Sequence, residues 1–501
     1  MIDQLLHALP YVFSPMNLLA MVGGTALGIA IGALPGLSAT MGIAVLIPLT
    51  FGLDPMVGLG MMAGIYNGAM YGGAIPAVLL RIPGTPASIV TTFDGYPMAQ
   101  KGQAGRALQI AVVSSAIGGM VSAIVLITLA PPLARVTLAF GPAEYFWVGV
   151  FGLSAIAVFV GKNPIKGILS ACIGLLVGTV GIDTISGVER FTFGMTGLYD
   201  GFHIVVLLTG LYAVPPAIAM AEEAVKTGIS RAKLRVKSEH GMFDDWRLLW
   251  KTWARSSFIG VLVGLLPGAG GNIAAFLSYN EAKRASRTPE EFGEGSPEGV
   301  AAGECGNNAD NSAAMVPALT LGVPGSSVAA VILGGLLIHG LRPGPGLFRD
   351  HPDVVYGFMI QMFLTSLLLI FIGGMIGTRV FAHVLRLPRV LLVPLITALT
   401  AVGVYSINNS MFDLYMMLAF GMLGYAMERL DFPLAPAVLG LILGPMAEEN
   451  MRLAILISQN DWSVFITRPI SLIIATLTVL VLLFPVIRGF FDKRKAARAS
   501  A

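Results

Sequence analysis

Apolar stretches long enough to cross or half-cross a bilayer recur from one end of the chain to the other, and they constrain the fold more than any other feature. A spanning helix needs about 20 predominantly apolar residues. Stretches of this kind lie near residues 16–34, 107–130, 143–160, 165–182, 202–221, 354–377, 390–407, 411–427 and 468–487. Between them lie shorter apolar pieces broken by proline and glycine, at 40–53, 56–70, 74–92, 256–266, 271–280, 299–321, 325–340 and 433–446. These pieces suit half-helices and re-entrant hairpins better than simple spans. Only 12% of the residues are charged, against about 25% in soluble domains. So few charges cannot cover a water-soluble globule, and the outer surface is expected to meet lipid.

The 61 glycines and 30 prolines weaken helices in water but are tolerated in membranes where neighbouring helices or a cavity satisfy the freed backbone groups. They indicate broken helices, or close helix packing through small residues. No lysine or arginine precedes Arg81, so the basic n-region of a cleavable signal is missing and insertion by uncleaved helices is expected. Cys172 and Cys305 have no CxxC spacing and read as packing residues rather than a disulfide or zinc site.

Charge is distributed unevenly. Residues 226–255 carry eight basic side chains, Lys226, Arg231, Lys233, Arg235, Lys237, Arg247, Lys251 and Arg255, against three acids, Glu239, Asp244 and Asp245. The tail holds Arg488, Lys493, Arg494, Lys495 and Arg498. The positive-inside rule places both segments in the cytoplasm and the N-terminus outside.

The two halves resemble each other. Gly28 to Gly36 matches Gly260 to Gly268 at an offset of 232, through a shared Leu-Pro-Gly. Asn67 to Ser88 matches Asn308 to Ala329 at an offset of 241, pairing Pro76-Ala77 with Pro317-Ala318 and Pro83-Gly84 with Pro324-Gly325. The difference of nine residues fits an insertion near Pro289 to Glu298. The first copy starts outside and the second starts from the cytoplasmic loop, which makes an inverted-topology repeat. The expected fold is an all-α polytopic membrane protein. Residues 1–225 form the first repeat, 226–255 a basic linker, 256–467 the second repeat, and 468–501 an extra span with a basic tail.

Within each repeat the helix-breaking motifs are the candidate sites. Glycines at 24, 28, 32 and 36, matched by Ser256, Gly260, Gly264 and Gly268, form a small-residue stripe suited to close packing. After Leu-Pro-Gly, where Gly36 and Gly268 allow a turn, new half-helices can start at Ser38-Ala39-Thr40 and at Gly270-Gly271-Asn272. Their N-terminal N–H groups suit a carboxylate; a packed kink is the alternative. Ile82-Pro83-Gly84-Thr85-Pro86 and Val323-Pro324-Gly325-Ser326-Ser327 read as polar hairpin tips inside apolar sequence. Arg81 borders the first tip and could clamp a carboxylate or snorkel to the interface. The substrate-binding candidates are therefore Gly36, Ser38, Thr40, Arg81, Pro83, Gly84, Thr85, Gly268, Asn272, Pro324, Gly325, Ser326 and Ser327.

Asn307-Asn308-Ala309-Asp310-Asn311-Ser312 has no basic neighbour and precedes an apolar stretch. An intramembrane acid is a functional candidate, and oxygen-rich side chains suit a hard cation such as sodium; a solvated loop is the alternative. Asn67, Asn307, Asn308, Asp310 and Asn311 are the cation-binding candidates. His203 and His339 read as packing residues. No HExxH, P-loop, Gly-x-Ser-x-Gly or dinucleotide fingerprint is present, and no catalytic residue or cofactor is expected.

The run from Gly32-Ala-Leu-Pro-Gly-Leu37 through Asn67-Gly68 and Ile82-Pro83-Gly84-Thr85-Pro86 to Asp94-Gly95-Tyr96-Pro97 resembles the large membrane subunit of tripartite tricarboxylate transporters. The second half resembles it as well, through Gly264-Leu-Leu-Pro-Gly268, Asn307-Asn308 and Gly322-Val-Pro-Gly-Ser-Ser327. The resemblance implies a bacterial inner-membrane transporter subunit. A periplasmic binding protein feeds it and a small four-helix membrane subunit accompanies it. It further implies uptake of citrate or another small carboxylate, driven by a sodium or proton gradient. Another organic anion, an ion channel and an intramembrane enzyme are the alternatives. No nucleic-acid partner is implied, and homo-oligomerisation is left open.

Overall fold

The computed structural model describes all residues except 1, 35, 160–162, 184–185, 228–240, 378–388 and 484–501. Pro35 of the first Leu-Pro-Gly, much of the basic linker and the basic tail thus lie outside the described residues.

The described chain is helical apart from one short antiparallel pair, Gly181–Ile182 with Glu189–Arg190. The first half contains α1 (Ile2–Val12), α2 (Pro15–Ala33), α3 (Ala39–Thr50), α4 (Pro55–Gly72), α5 (Ala74–Leu80), α6 (Thr91–Gln100), α7 (Ala104–Thr137), α8 (Pro142–Phe159), α9 (Pro164–Gly178) and α10 (Ile204–Thr227). The second contains α11 (Trp246–Gly264), α12 (Gly270–Ala285), α13 (Pro297–Ala313), α14 (Met315–Leu321), α15 (Ser327–Ile338), α16 (Pro345–Asp350), α17 (Pro352–Leu369), α18 (Arg389–Asn408), α19 (Met411–Arg429) and α20 (Leu434–Ile457). Among the described residues, Pro15–Ala33, Ala104–Thr137, Ile204–Glu222 and Pro352–Gly374 are long and apolar enough to cross a membrane. Shorter apolar helices, including Ser327–Ile338 and Pro469–Leu483, accompany them. This is the construction of a membrane protein.

Helix boundaries follow side-chain chemistry more than hydropathy. Ser38, Asp54, Ser296 and Ser326 cap α3, α4, α13 and α15 by accepting from Met41, Met56, Gly299 and Ala329 N–H at 3.1, 2.9, 3.3 and 3.2 Å, as N-caps do. Apolar runs mark several helices short of their true ends. α11 begins ten residues before the apolar stretch at 256, because Arg247, Lys251 and Arg255 belong to its first turns. α20 continues past 446 through Glu448, Glu449 and Arg452. α1 is an added short helix ahead of the first span. Cys172 lies exposed on α9, whereas Cys305 is buried.

The same local geometry occurs twice. α2 packs on α4 so closely that a Cβ at Gly28 would lie 2.5 Å from the Ile65 carbonyl oxygen. α11 packs on α13 likewise, with a Cβ at Gly264 lying 2.8 Å from the Asp310 carbonyl oxygen. Each pair is followed by a short helix, a turn and another helix. Ile82 N–H donates to Pro76 O and Val323 N–H to Pro317 O, both at 3.3 Å. Gly84 N–H donates to Gly73 O and Gly325 N–H to Ala314 O, both at 3.2 Å. The residues ending α5 and α14 are both left-handed, Arg81 at φ 57° and Gly322 at φ 73°. Glycine adopts that conformation freely; for an L side chain it costs about 1 kcal/mol.

Candidate functional site

These repeated breaks converge on a cavity of about 680 Å³. Ser38, Ala39 and Thr40 at the start of α3 line one part of it, and Gly268 to Ile273 at the start of α12 another. Thr85 to Ala87, after the first turn, and Ser326 to Val328, at the start of α15, complete the contribution of the motifs. Helix N-termini carry free N–H groups and the positive end of the helix dipole, so the starts of α3, α12 and α15 together favour an anionic ligand. The Tyr66 hydroxyl lies 3.3 Å from Ser326 Oγ, which joins α4 to the second turn across the cavity wall.

Asp310 also lines the cavity. It lies in the last turn of α13, fully buried, rather than in a solvated loop. The Gly271 backbone N–H faces its carboxylate, yet neither oxygen makes a hydrogen bond of normal geometry with a described residue. The same holds for both amide atoms of Asn307 and for Oδ1 of Asn311. Buried polar atoms without partners are costly; of these groups Asp310 alone lines the cavity, where a ligand would meet its carboxylate.

The remaining cation-site candidates form a joint behind this point. Asn67 Nδ2 approaches Met362 O, Thr365 Oγ1 and Ser366 Oγ at 3.2, 2.9 and 3.1 Å. Asn311 Nδ2 donates to Asn67 Oδ1 at 3.0 Å, and Asn308 Nδ2 to Glu304 O at 3.0 Å. Asn67 and Asn311 therefore hold α4, α13 and α17 together, whereas Asn308 bonds within α13; neither Asn67 nor Asn308 lines the cavity.

Of the substrate-binding candidates, Ser38, Thr40, Thr85, Gly268, Asn272, Ser326 and Ser327 line the cavity. Gly36, Pro83, Gly84, Pro324 and Gly325 do not; the two Pro-Gly pairs shape the turns from behind. Arg81 is exposed outside the lining, its guanidinium 5.8 Å from the Tyr96 ring centroid. Tyr66, Met70, Tyr212, Glu428 and Asp431 also line the cavity, with Pro216 and Phe432 to Ala435. Sequence motifs did not point to them, although Tyr66 adjoins Asn67 and occupies the repeat position of Asn307.

Among the other buried acids outside the cavity lining are Glu304 and Asp94. Glu304 accepts from Thr91 Oγ1 and, at 3.0 Å, from Ser115 Oγ. Asp94 Oδ1 accepts the N–H groups of Gly293, Gly295 and Ser296 at 2.8, 2.9 and 2.8 Å, while Oδ2 accepts the Tyr279 hydroxyl at 2.8 Å. Asp94 thereby ties α6 to the stretch Pro289 to Glu298, where the second half has its extra residues.

Comparison with known proteins gives a consistent pattern. The family model described as "Tripartite tricarboxylate transporter TctA family" matches residues 18–439. An Agrobacterium vitis protein described as an uncharacterized 52.8 kDa protein in the TAR-I ttuC' 3' region is 38% identical over 486 residues, 96% of each chain. Another from the same organism, described as an uncharacterized protein in the TAR-II ttuC' 3' region, is 39% identical over 238 residues, 47% of this chain and 98% of the relative. No solved structure matches the chain.

Proposed function

The chain belongs to the TctA family of tripartite tricarboxylate transporters, and from that premise we propose that it is the subunit through which a small carboxylate crosses the bacterial inner membrane. The family makes it a transporter component rather than an enzyme. Citrate is the default substrate, a periplasmic binding protein delivers it, and a small four-helix membrane subunit completes the assembly. A sodium or proton gradient drives uptake.

The observation that carries this reading is the cavity on which both helix-breaking motifs converge. Carboxylate oxygens leaving water need donors in exchange. The N-terminal N–H groups of α3, α12 and α15 supply them, with the hydroxyls of Thr85, Ser326 and Ser327. The coupling cation sits against Asp310 and Asn307.

In this reading the halves 1–225 and 256–467 lie inverted in the membrane, joined by the cytoplasmic linker 226–255. The turns at Pro83-Gly84 and Pro324-Gly325 are the tips of re-entrant hairpins that meet near mid-membrane. Rocking of one half against the other exposes the cavity to each side in turn. The close helix pairs α2–α4 and α11–α13 support rigid-body movement, since their backbones are in direct contact.

Uptake of labelled di- and tricarboxylates by membrane vesicles, with and without a sodium gradient, tests the proposal. Gradient-dependent accumulation of at least one carboxylate is expected. Single-channel currents in place of accumulation would replace the transporter with a channel.

A further inference from the structure

An open groove of about 410 Å³ runs between α7 and α11, apart from the central cavity. Ile117, Val121 and Val125 of α7 and Trp250, Phe258 and Val261 of α11 line it. The polar groups in its wall are already satisfied: the Trp253 indole N–H donates to Ser114 Oγ at 2.8 Å, and Ser257 Oγ contacts Cys305 Sγ at 3.2 Å. The groove therefore selects an apolar occupant. Along α11 it extends from Trp250 to Val261, about 16 Å at 1.5 Å per residue. That is close to the hydrocarbon depth of one leaflet, about 15 Å. One turn of a helix about 10 Å across already occupies about 420 Å³, so the groove admits an extended chain and not a packed helix.

The end of this groove nearer the basic linker is cationic. Lys251 Nζ lies 5.5 Å from the ring centroid of Trp250, a lining residue, and the Arg247 guanidinium lies 5.6 Å from that of Trp246. Both rings are exposed. The acid nearest before them, Asp245, is held by Arg106 at 2.6 Å. Among the described residues neither Arg247 nor Lys251 pairs with an acid. Lys251 lies 13 residues before Gly264, where α11 ends, or about 20 Å along the helix axis. With the Leu-Pro-Gly turn near mid-membrane, this is headgroup level, where tryptophan and basic side chains settle. An apolar slot one leaflet deep that ends in two unpaired cations matches an anionic phospholipid in both shape and charge.

We propose that the α7–α11 groove binds an anionic phospholipid, with one acyl chain in the groove and the phosphate against Arg247 and Lys251. Only its assignment to the cytoplasmic leaflet rests on reading the linker as cytoplasmic. The bound lipid fills the gap between the two helices and stabilises the folded protein according to its occupancy.

The test uses the purified, delipidated full-length protein in neutral detergent and follows its thermal unfolding midpoint. Phosphatidylglycerol, phosphatidylcholine with the same acyl chains, and glycerol 3-phosphate are titrated separately. A saturable rise is expected with phosphatidylglycerol, at a concentration about fivefold or more below that needed for phosphatidylcholine, the share of one interfacial cation. Glycerol 3-phosphate should give none. Arg247→Gln combined with Lys251→Gln should bring the two lipids level. Ala254→Trp fills the groove, keeps both cations and should abolish the rise. Equal wild-type responses to the two lipids would overturn the proposal, whether or not either variant folds. So would a phosphatidylglycerol response that survives Ala254→Trp, or a response to glycerol 3-phosphate as large as that to the lipid. Loss of the small membrane subunit from Ala254→Trp during co-purification, with phosphatidylglycerol binding intact, would give the groove to that subunit instead.

Discussion

The Tyr66 hydroxyl lies 3.3 Å from Ser326 Oγ. One residue comes from α4 of the first half and the other opens α15 of the second, and both line the cavity. Tyr66→Phe removes the hydroxyl and leaves the ring in place. A net hydrogen bond is worth about 1 kcal/mol, so the carboxylate concentration for half-maximal uptake should rise about fivefold with little change in protein level. Initial-rate uptake across a substrate series measures this; an unchanged value would remove Tyr66 from the site.

The two turns are sterically closed from behind. A Cβ at Gly84 would collide with the Gly32 carbonyl oxygen, and one at Gly325 with that of Gly264. Since neither glycine lines the cavity, a side chain there acts by prising the turn away from α2 or α11 rather than by crowding substrate. Gly84→Val and Gly325→Val are each expected to abolish uptake. Gly84→Ala and Gly325→Ala should already be impaired, with a packing cost of about 1–3 kcal/mol. Transport assays normalised to membrane-inserted protein decide the point; full activity in either alanine variant would contradict it.

How far the sequence reveals this arrangement depends on which residues carry the backbone breaks. Leu-Pro-Gly and Pro-Gly-Thr/Ser are legible because only proline and glycine suit those turns, and the repeat offsets of 232 and 241 pair them correctly. Arg81 misleads for a related reason: its charge suggests a ligand, whereas it occupies a left-handed C-cap where its counterpart is Gly322. Tyr212 comes from α10, Glu428 from the last turn of α19 and Asp431 from the segment joining α19 to α20, outside the matched repeat motifs. Tertiary packing alone brings them to the cavity. The length of α11 is hidden because charged residues at a helix end lower its hydropathy without breaking the helix.

Asp94 makes a separate structural prediction. Its replacement by alanine leaves the N–H groups of Gly293, Gly295 and Ser296 and the Tyr279 hydroxyl without their acceptor. Each buried group left unmet costs about 1–3 kcal/mol, so Asp94→Ala should lose about 3 kcal/mol or more. Asp94→Asn, which keeps one acceptor oxygen, should lose less. Thermal unfolding of the purified variants gives the ranking; equal stability of Asp94→Ala and wild type would contradict the latch between α6 and the inserted stretch.

The membrane orientation follows from charge asymmetry. Reporters active only in the periplasm or only in the cytoplasm, fused before α1, within the basic linker and after the final span, should report outside, inside and inside. A cytoplasmic N-terminus alongside a cytoplasmic linker would exclude the inverted arrangement of the halves.

The most direct measurement concerns Thr85 and Ser326, which occupy equivalent positions in the two halves and line the same cavity. Single cysteines at these positions are treated with a small, membrane-impermeant polar thiol reagent, with and without a transported carboxylate, in protein that still takes up substrate. Labelling at both positions, slowed at both by the carboxylate, is the expected result. Labelling that the carboxylate leaves unchanged at both would show that the two turns do not enclose the transport site.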